Sequence, residues 1–244
     1  MDKEEALAGG NWTDEVVRVG ATVHRSRGPN SDFAATLLAE LERLGVPFAP
    51  AYLGRDDKGR DVFTYFDGST TEHPNQRSEH SYIKGGKMLR QLHDATAGHP
   101  LAAGGECVIH GDPGPFNTIF RDGMPVGLID WDSAKPGLRL DDLAYMAWTW
   151  CIYSDSRIPL DDQARRLNKL RLGYGFESGQ QLLEAILRRQ SEMITVSMEM
   201  LGRDDKPETF YQHHRDAIRW TADCQQVLLD NIDSFTSALP LESD

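Results

Sequence analysis

Cysteine is scarce: Cys107, Cys151 and Cys224 are the whole complement, an odd number with no Cys-x-x-Cys spacing. That count argues against a disulfide framework and against a thiolate zinc site. Long apolar runs are missing too. No stretch approaches the ~20 residues of a membrane span, and the longest are interrupted by charge. The N-terminus, MDKEEALAGG, is acidic and lacks the apolar centre of a secretory signal. The expectation is a cytoplasmic protein that engages no membrane.

Positive charge is the next shortage. Lys and Arg number 26 against 38 Asp and Glu, a formal net charge of -12. Such a surface repels polyanions, so no nucleic-acid partner is expected, whereas a cationic ligand is attracted. Any phosphate site has to be built locally, from backbone N–H groups, a few basic side chains or a bound cation. Lysine is absent between Lys3 and Lys58.

What is present fits one large domain or two small lobes: 244 residues, 39% of them hydrophobic. Residues 15–19 and 21–25 read as two strands meeting at Gly20, and residues 7–11 as a strand before them. From Asp32 to Leu44 the apolar residues follow helical spacing, with Ser31 or Asp32 as N-cap and Gly45 with Pro47 as the stop. Residues 51–54 and 61–66 read as further strands. Beyond a helix at 77–97 and a β-rich segment at 106–130, helical patterns run over 138–153, 161–172, 180–201 and 209–232. The pattern predicts an α+β fold, with a small β-rich lobe at 1–67 and a larger helical lobe at 68–244.

The most informative stretch is CVIHGDPGPFNTIF, residues 107–120, in which His110-x-Asp112-x-x-x-x-Asn117 follows a short apolar strand. A turn at Arg121-Asp122-Gly123 and a second strand, Pro125–Ile129, then deliver Asp130, Trp131 and Asp132. Phosphoryl transfer needs an Asp to take or orient the acceptor hydroxyl, and an Asn and a second Asp to hold Mg²⁺ on the nucleotide phosphates. A loop closed by a hairpin supplies all three at one point. The same Asp and Asn also cap ordinary turns, but the strand context and the returning Asp-Trp favour chemistry.

These motifs resemble the aminoglycoside phosphotransferase and choline kinase superfamily, which shares the protein-kinase-like fold. Its His-Gly-Asp-x-x-x-x-Asn loop is matched by His110, Gly111, Asp112 and Asn117, and its Ile-Asp-Trp segment by Ile129, Asp130 and Trp131. Residues 136–144 look like its Gly-to-Asp-Leu-Ala helix start, and Leu92-His93 fits as well. The resemblance implies a bilobal fold, Asp112 as catalytic base, Asn117 and Asp130 as Mg²⁺ ligands, and His110 and Asp142 as structural supports, Asp142 capping the helix that follows it. It implies ATP or GTP as phosphate donor and a small-molecule hydroxyl as acceptor, an aminoglycoside or other cationic compound. Asp132 is read either as an aid to a second metal or as a solvated side chain.

In the same resemblance Gly10, within Gly9-Gly10-Asn11, is the phosphate-covering turn, and Tyr65 and Phe66 are the hinge beside the nucleotide base. The strand position of the kinase lysine carries Arg25, and no Glu of the following helix faces it clearly. Acceptor candidates in the helical part are Asp155, Glu192, Glu199, Asp216, Asp223 and Asp230, most of which are read as solvated. Trp148, Trp150 and Tyr153 are read as core, and the adjacent pair His213-His214 is not a chelate. The alternative reading is a non-catalytic binding or immunity protein on a kinase-like scaffold, since short relatives include trifolitoxin-immunity-like members. A protein kinase is disfavoured because Asp-Phe-Gly and Ala-Pro-Glu segments are absent.

Overall fold

A computed structural model describes residues 3–7 and 16–239. The chain falls into two compact units, Met1–Ser78 with Gln91–Arg139, and Glu79–Arg90 with Leu140–Asp244. The Asp67–Gly68 break lies within the first unit. The expected phosphate-covering turn at 9–13, Gly10 included, lies outside the described residues.

In the first unit, β1 (Glu4–Ala6), β2 (Val16–Val19), β3 (Thr22–Arg25), β4 (Tyr52–Arg55) and β5 (Asp61–Thr64) form one antiparallel sheet in the order β1-β2-β3-β5-β4. The first strand lies upstream of the stretch expected at 7–11, whose residues 8–11 are not described. Helix α1 (Ser31–Arg43) buries Ala34, Leu37, Leu38 and Leu41, the i, i+3, i+4, i+7 stripe of an amphipathic helix. Its N-cap is Asn30, not Ser31 or Asp32, and the Asn30 side chain does not cap the helix. That amide is engaged elsewhere, donating to the carbonyls of Asp132 (2.8 Å) and Ala134 (3.0 Å).

The β-rich segment resolves into β6 (Cys107–Ile109) and a hairpin of β7 (Thr118–Arg121) with β8 (Met124–Leu128). A further strand, β9 (Lys135–Gly137), pairs antiparallel with β6 where a lead-in to a helix was expected. Pro136 offers no N–H, which a two-stranded ribbon tolerates because one edge of each strand is unpaired.

In the second unit the helices are α2 (Ser81–Thr96) through Arg90, α3 (Arg139–Cys151) from Leu140, α4 (Leu160–Tyr174), α5 (Gly179–Leu201), α6 (Glu208–Asp230) and α7 (Ile232–Ala238). The helix expected over 209–232 breaks at Asn231, whose side-chain amide donates to the Val227 carbonyl while its backbone leaves helical angles. Trp148 and Trp150 are fully buried, as the sequence predicts. Trp148 stacks on Trp220 with ring centres 4.8 Å apart, and Trp150 meets Tyr82 edge-on at 6.3 Å. Aromatic contacts of this geometry add to the area that each ring buries.

Helices α2 and α4 touch backbone to backbone. A Cβ on Gly86 would lie 2.7 Å from the Tyr174 nitrogen and closer still to the Leu170 carbonyl oxygen, and Gly173 meets the Ile83 backbone in the same way. Beside this crossing, Glu79 receives Arg165, Arg166 and Lys169 of α4. Burial alone raises the Glu79 carboxyl, but hydrogen bonds from the three cations outweigh it and hold the group down to about 2.

Two outcomes follow for stability. Gly86→Ala forces the helices apart and is expected to cost about 2–3 kcal/mol, an overpacking penalty read by urea denaturation. Glu79→Gln is expected to lower the melting temperature at pH 7 and to match the wild type towards pH 2. The sign follows from a folded-state pKa below the unfolded one: the stabilisation is present above about pH 4.5 and fades as pH falls through about 2.

Candidate active site

The first unit gathers Asp112, Asn117, Asp130 and Arg25. Strand β6 ends at Ile109, and the buried His110 follows it. The His110 ring packs against Trp131 with ring centres 4.6 Å apart. Its Nε2 lies 3.0 Å from the Ile129 carbonyl, to which it donates, and the Asp112 N–H donates to Nδ1 at 3.4 Å. One neutral imidazole thus ties the loop to the end of β8. Gly111 sits at φ +84°, and a Cβ there would press on Ser133, including its Cβ at 3.0 Å. Only glycine lets the loop pass so close to the Asp130–Ser133 turn.

Asn117 is buried and donates its side-chain amide to the Asp112 carbonyl (3.1 Å) and to Asp112 Oδ2 (2.9 Å). With its Nδ2 spent on Asp112, the amide oxygen is the atom left to meet a cation. The Ile129 N–H donates to the Asn117 carbonyl at 2.9 Å, which fixes the β8 end, and so Asp130, next to Asn117. Asp130 itself adopts a left-handed backbone, φ 62° and ψ 70°. This conformation costs an Asp about 1 kcal/mol or more and commonly marks a functional site.

Arg25 closes the group. Its Nη1 lies 3.1 Å from Asp130 Oδ1 and its Nη2 2.6 Å from Asp132 Oδ2. The Arg25 side chain is 16% exposed, so these pairs are shielded from water on one side. Burial pushes the Asp132 carboxyl up and Asp130 adds to the push, while Arg25 pulls it down; the balance lies above the usual carboxylate range. Asp61, opposite Arg25 in the sheet register, is engaged by Arg27 and Arg55.

The expected hinge residues lie in the same unit. Arg18 stacks its guanidinium 3.9 Å above the Tyr65 ring, and Phe66 covers Gly127 of β8, where a Cβ would meet its ring at 2.7 Å. Among the acidic acceptor candidates, Asp155 pairs with Arg157, Glu192 with Arg188 and Arg189, and Asp216 with Arg219, while Asp230 accepts from Gln226. Asp142 is buried in the first turn of α3, inside the helix rather than at its cap. Two residues escaped the sequence reading. Asn30 latches the turn that carries Asp132, and its signal is the Gly-Pro-Asn before a helix. Phe116, beside Asn117, is 43% exposed with its ring laid over Gly114. The sequence shows a phenylalanine between Pro115 and Asn117, but its exposure is legible only in the folded chain.

Oxygen donors from Asn117 and Asp130 suit Mg²⁺, which keeps several waters and takes one or two protein carboxylates together with substrate phosphates. Among the described residues no cluster of three His, Cys, Asp or Glu forms a cage able to hold a metal by itself. No helix among them is long and apolar enough to cross a membrane.

Comparison with known proteins agrees with this architecture. The chain is 37% identical over 204 residues to the trifolitoxin immunity protein of Rhizobium leguminosarum bv. trifolii, covering 74% of this chain and 77% of that protein. Among solved structures it resembles a choline/ethanolamine kinase family protein from Mesorhizobium loti, with a TM-score of 0.66, 17% identity, and coverage of 97% of this chain and 92% of that one. A spectinomycin phosphotransferase in complex with ADP and spectinomycin superimposes with a TM-score of 0.58 at 12% identity, over 90% of this chain and 93% of that one. Likeness at such identity speaks for the fold alone, which is therefore the kinase-like α+β fold that the sequence predicts. The profile of the Phosphotransferase enzyme family matches residues 5–176, and the chain belongs to that family.

Proposed function

We propose that the protein is a Mg²⁺-dependent small-molecule kinase that moves the terminal phosphate of ATP or GTP to a hydroxyl of a cationic acceptor. The observation that carries this reading is the Asn117 bridge: its side chain holds Asp112, and its carbonyl holds the strand end that presents Asp130. Asp112 takes the proton of the acceptor hydroxyl, whose oxygen attacks the terminal phosphorus. The bond from that phosphorus to the bridging oxygen breaks, and the nucleoside diphosphate leaves with the electron pair. Asn117 and Asp130 hold Mg²⁺, which when bound neutralises charge on the phosphate oxygens. Arg25 contacts the same phosphates, Gly10 covers them, and Tyr65 and Phe66 line the base. The family match supports phosphotransfer, and the ADP complex of the spectinomycin enzyme supports a nucleotide donor. A net charge of -12 favours a cationic acceptor.

A second reading is a non-catalytic immunity protein that uses the scaffold for binding. Its support is the 37% identical trifolitoxin immunity protein. Calorimetry with Mg-ATP and Mg-GTP, followed by nucleoside diphosphate release in the presence of kanamycin, spectinomycin, choline or ethanolamine, separates the two. The kinase reading expects nucleotide binding by the wild type. It also expects Asp112→Ala to retain binding while turnover falls about 10²–10⁴-fold. Asp130→Ala is expected to lose the Mg²⁺-dependent part of the affinity. A folded wild type without nucleotide affinity overturns the kinase reading in favour of the second.

A further inference from the structure

Kinase-like enzymes hold their phosphate-contacting lysine with a glutamate of the neighbouring helix, and this chain has neither partner in place. No lysine occurs between Lys3 and Lys58. On α1, Glu40 is taken by Arg43 at 2.8 Å and by His99 at 3.5 Å, Glu42 is exposed, and Asp32 pairs with Arg27 and Arg55. The cation on β3 is Arg25, and its shortest ion pair is to Asp132.

We propose that Asp132 is a positioning residue that replaces the missing helix glutamate: its carboxylate anchors Arg25 from the metal-side turn and aims the guanidinium at the nucleotide phosphates. This inference rests on the kinase reading. The two guanidinium nitrogens face different carboxylates, Nη2 at Asp132 (2.6 Å) and Nη1 at Asp130 (3.1 Å). When Asp130 serves a metal ion, the Nη2 anchor keeps Arg25 in place and Nη1 turns to phosphate. A lysine, a single point charge, cannot divide its donors in this planar, two-sided way. Asp132 thus supplies the carboxylate that no α1 glutamate presents to Arg25. Asn30 completes the device, because its amide grips the carbonyls of Asp132 and Ala134 and fixes the turn to the start of α1. Helix α1 thus still governs the phosphate-contacting cation, through the side-chain amide of its N-cap residue Asn30 rather than a carboxylate in its middle.

The test is ATP affinity by calorimetry, with and without Mg²⁺ (EDTA present), for wild type, Asp132→Ala, Asp132→Asn, Asp132→Glu, Arg25→Ala and the double variant Arg25→Ala/Asp132→Asn. Thermal melting reports folding, and the Asn variant serves if the Ala variant does not fold. Expected is a loss of about tenfold in ATP affinity for folded Asp132→Ala and Asp132→Asn both with and without Mg²⁺, worth about 1.4 kcal/mol. Asp132→Glu should retain most of the wild-type affinity, and the double variant should bind no more weakly than Arg25→Ala alone. In turnover, Asp132→Asn should raise the KM for ATP more than it lowers kcat. Additive losses, or unchanged affinity in folded Asp132→Asn, overturn the inference alone. A loss seen only with Mg²⁺ makes Asp132 a metal ligand and overturns it as well. A wild type that binds no ATP overturns both this inference and the kinase reading.

Discussion

The backbone of Ile129 is the joint on which the candidate site depends. Its N–H donates to Asn117 and its carbonyl accepts from His110, so the two hydrogen bonds bind the loop after β6 to the end of the β7–β8 hairpin. Asp112 and Asn117 lie on one side of that joint and Asp130 follows it immediately. Hydrogen bonds that are half-buried, like these, are costly to break because the groups left behind regain water only in part. His110 therefore acts on the loop from underneath, with its ring packed on Trp131 and both nitrogens engaged.

Electrostatics explains why so acidic a chain still keeps a coherent anionic centre. Burial and the neighbouring Asp130 raise the proton affinity of Asp132, and Arg25 is the counter-charge that pulls it back down. Elsewhere in the first unit the sheet satisfies its own carboxylates, with Asp61 held by Arg27 and Arg55 and Asp56 by His24 and Arg60. Arg25 is left to serve the turn. The left-handed backbone of Asp130 belongs to the same arrangement, a local cost held in place by the hydrogen bonds around it.

The second unit obeys a different constraint, close helix approach around large aromatic rings. Glycines at 86 and 173 let α2 and α4 meet at their backbones, while Trp150 packs against Tyr82 of α2 and Trp148 stacks on Trp220 of α6. Of its six acidic candidates, Glu192, Asp216 and Asp230 are engaged by arginines or an amide of their own helices, and Asp155 by Arg157 in the segment between α3 and α4. Its charge thus reads mainly as a solvated, paired surface.

Much of this was legible in the residues. The His110-to-Asn117 loop, the hairpin that returns Asp130 and the amphipathic stripe of α1 follow from spacing, because local periodicity and turn chemistry act between near neighbours in the chain. The Asn30 cap, β9 and the break at Asn231 were not, because each depends on a hydrogen-bond partner chosen in space. Asp132 makes the distinction sharpest. Its sequence position allowed either a second metal or plain solvation, and only the folded chain set its carboxylate against Arg25, 107 residues away. The sequence by itself determined which chemical groups the site has. Tertiary structure decided which of them face one another, since an ion pair between distant residues is fixed by the packing of the strands and turns that carry them.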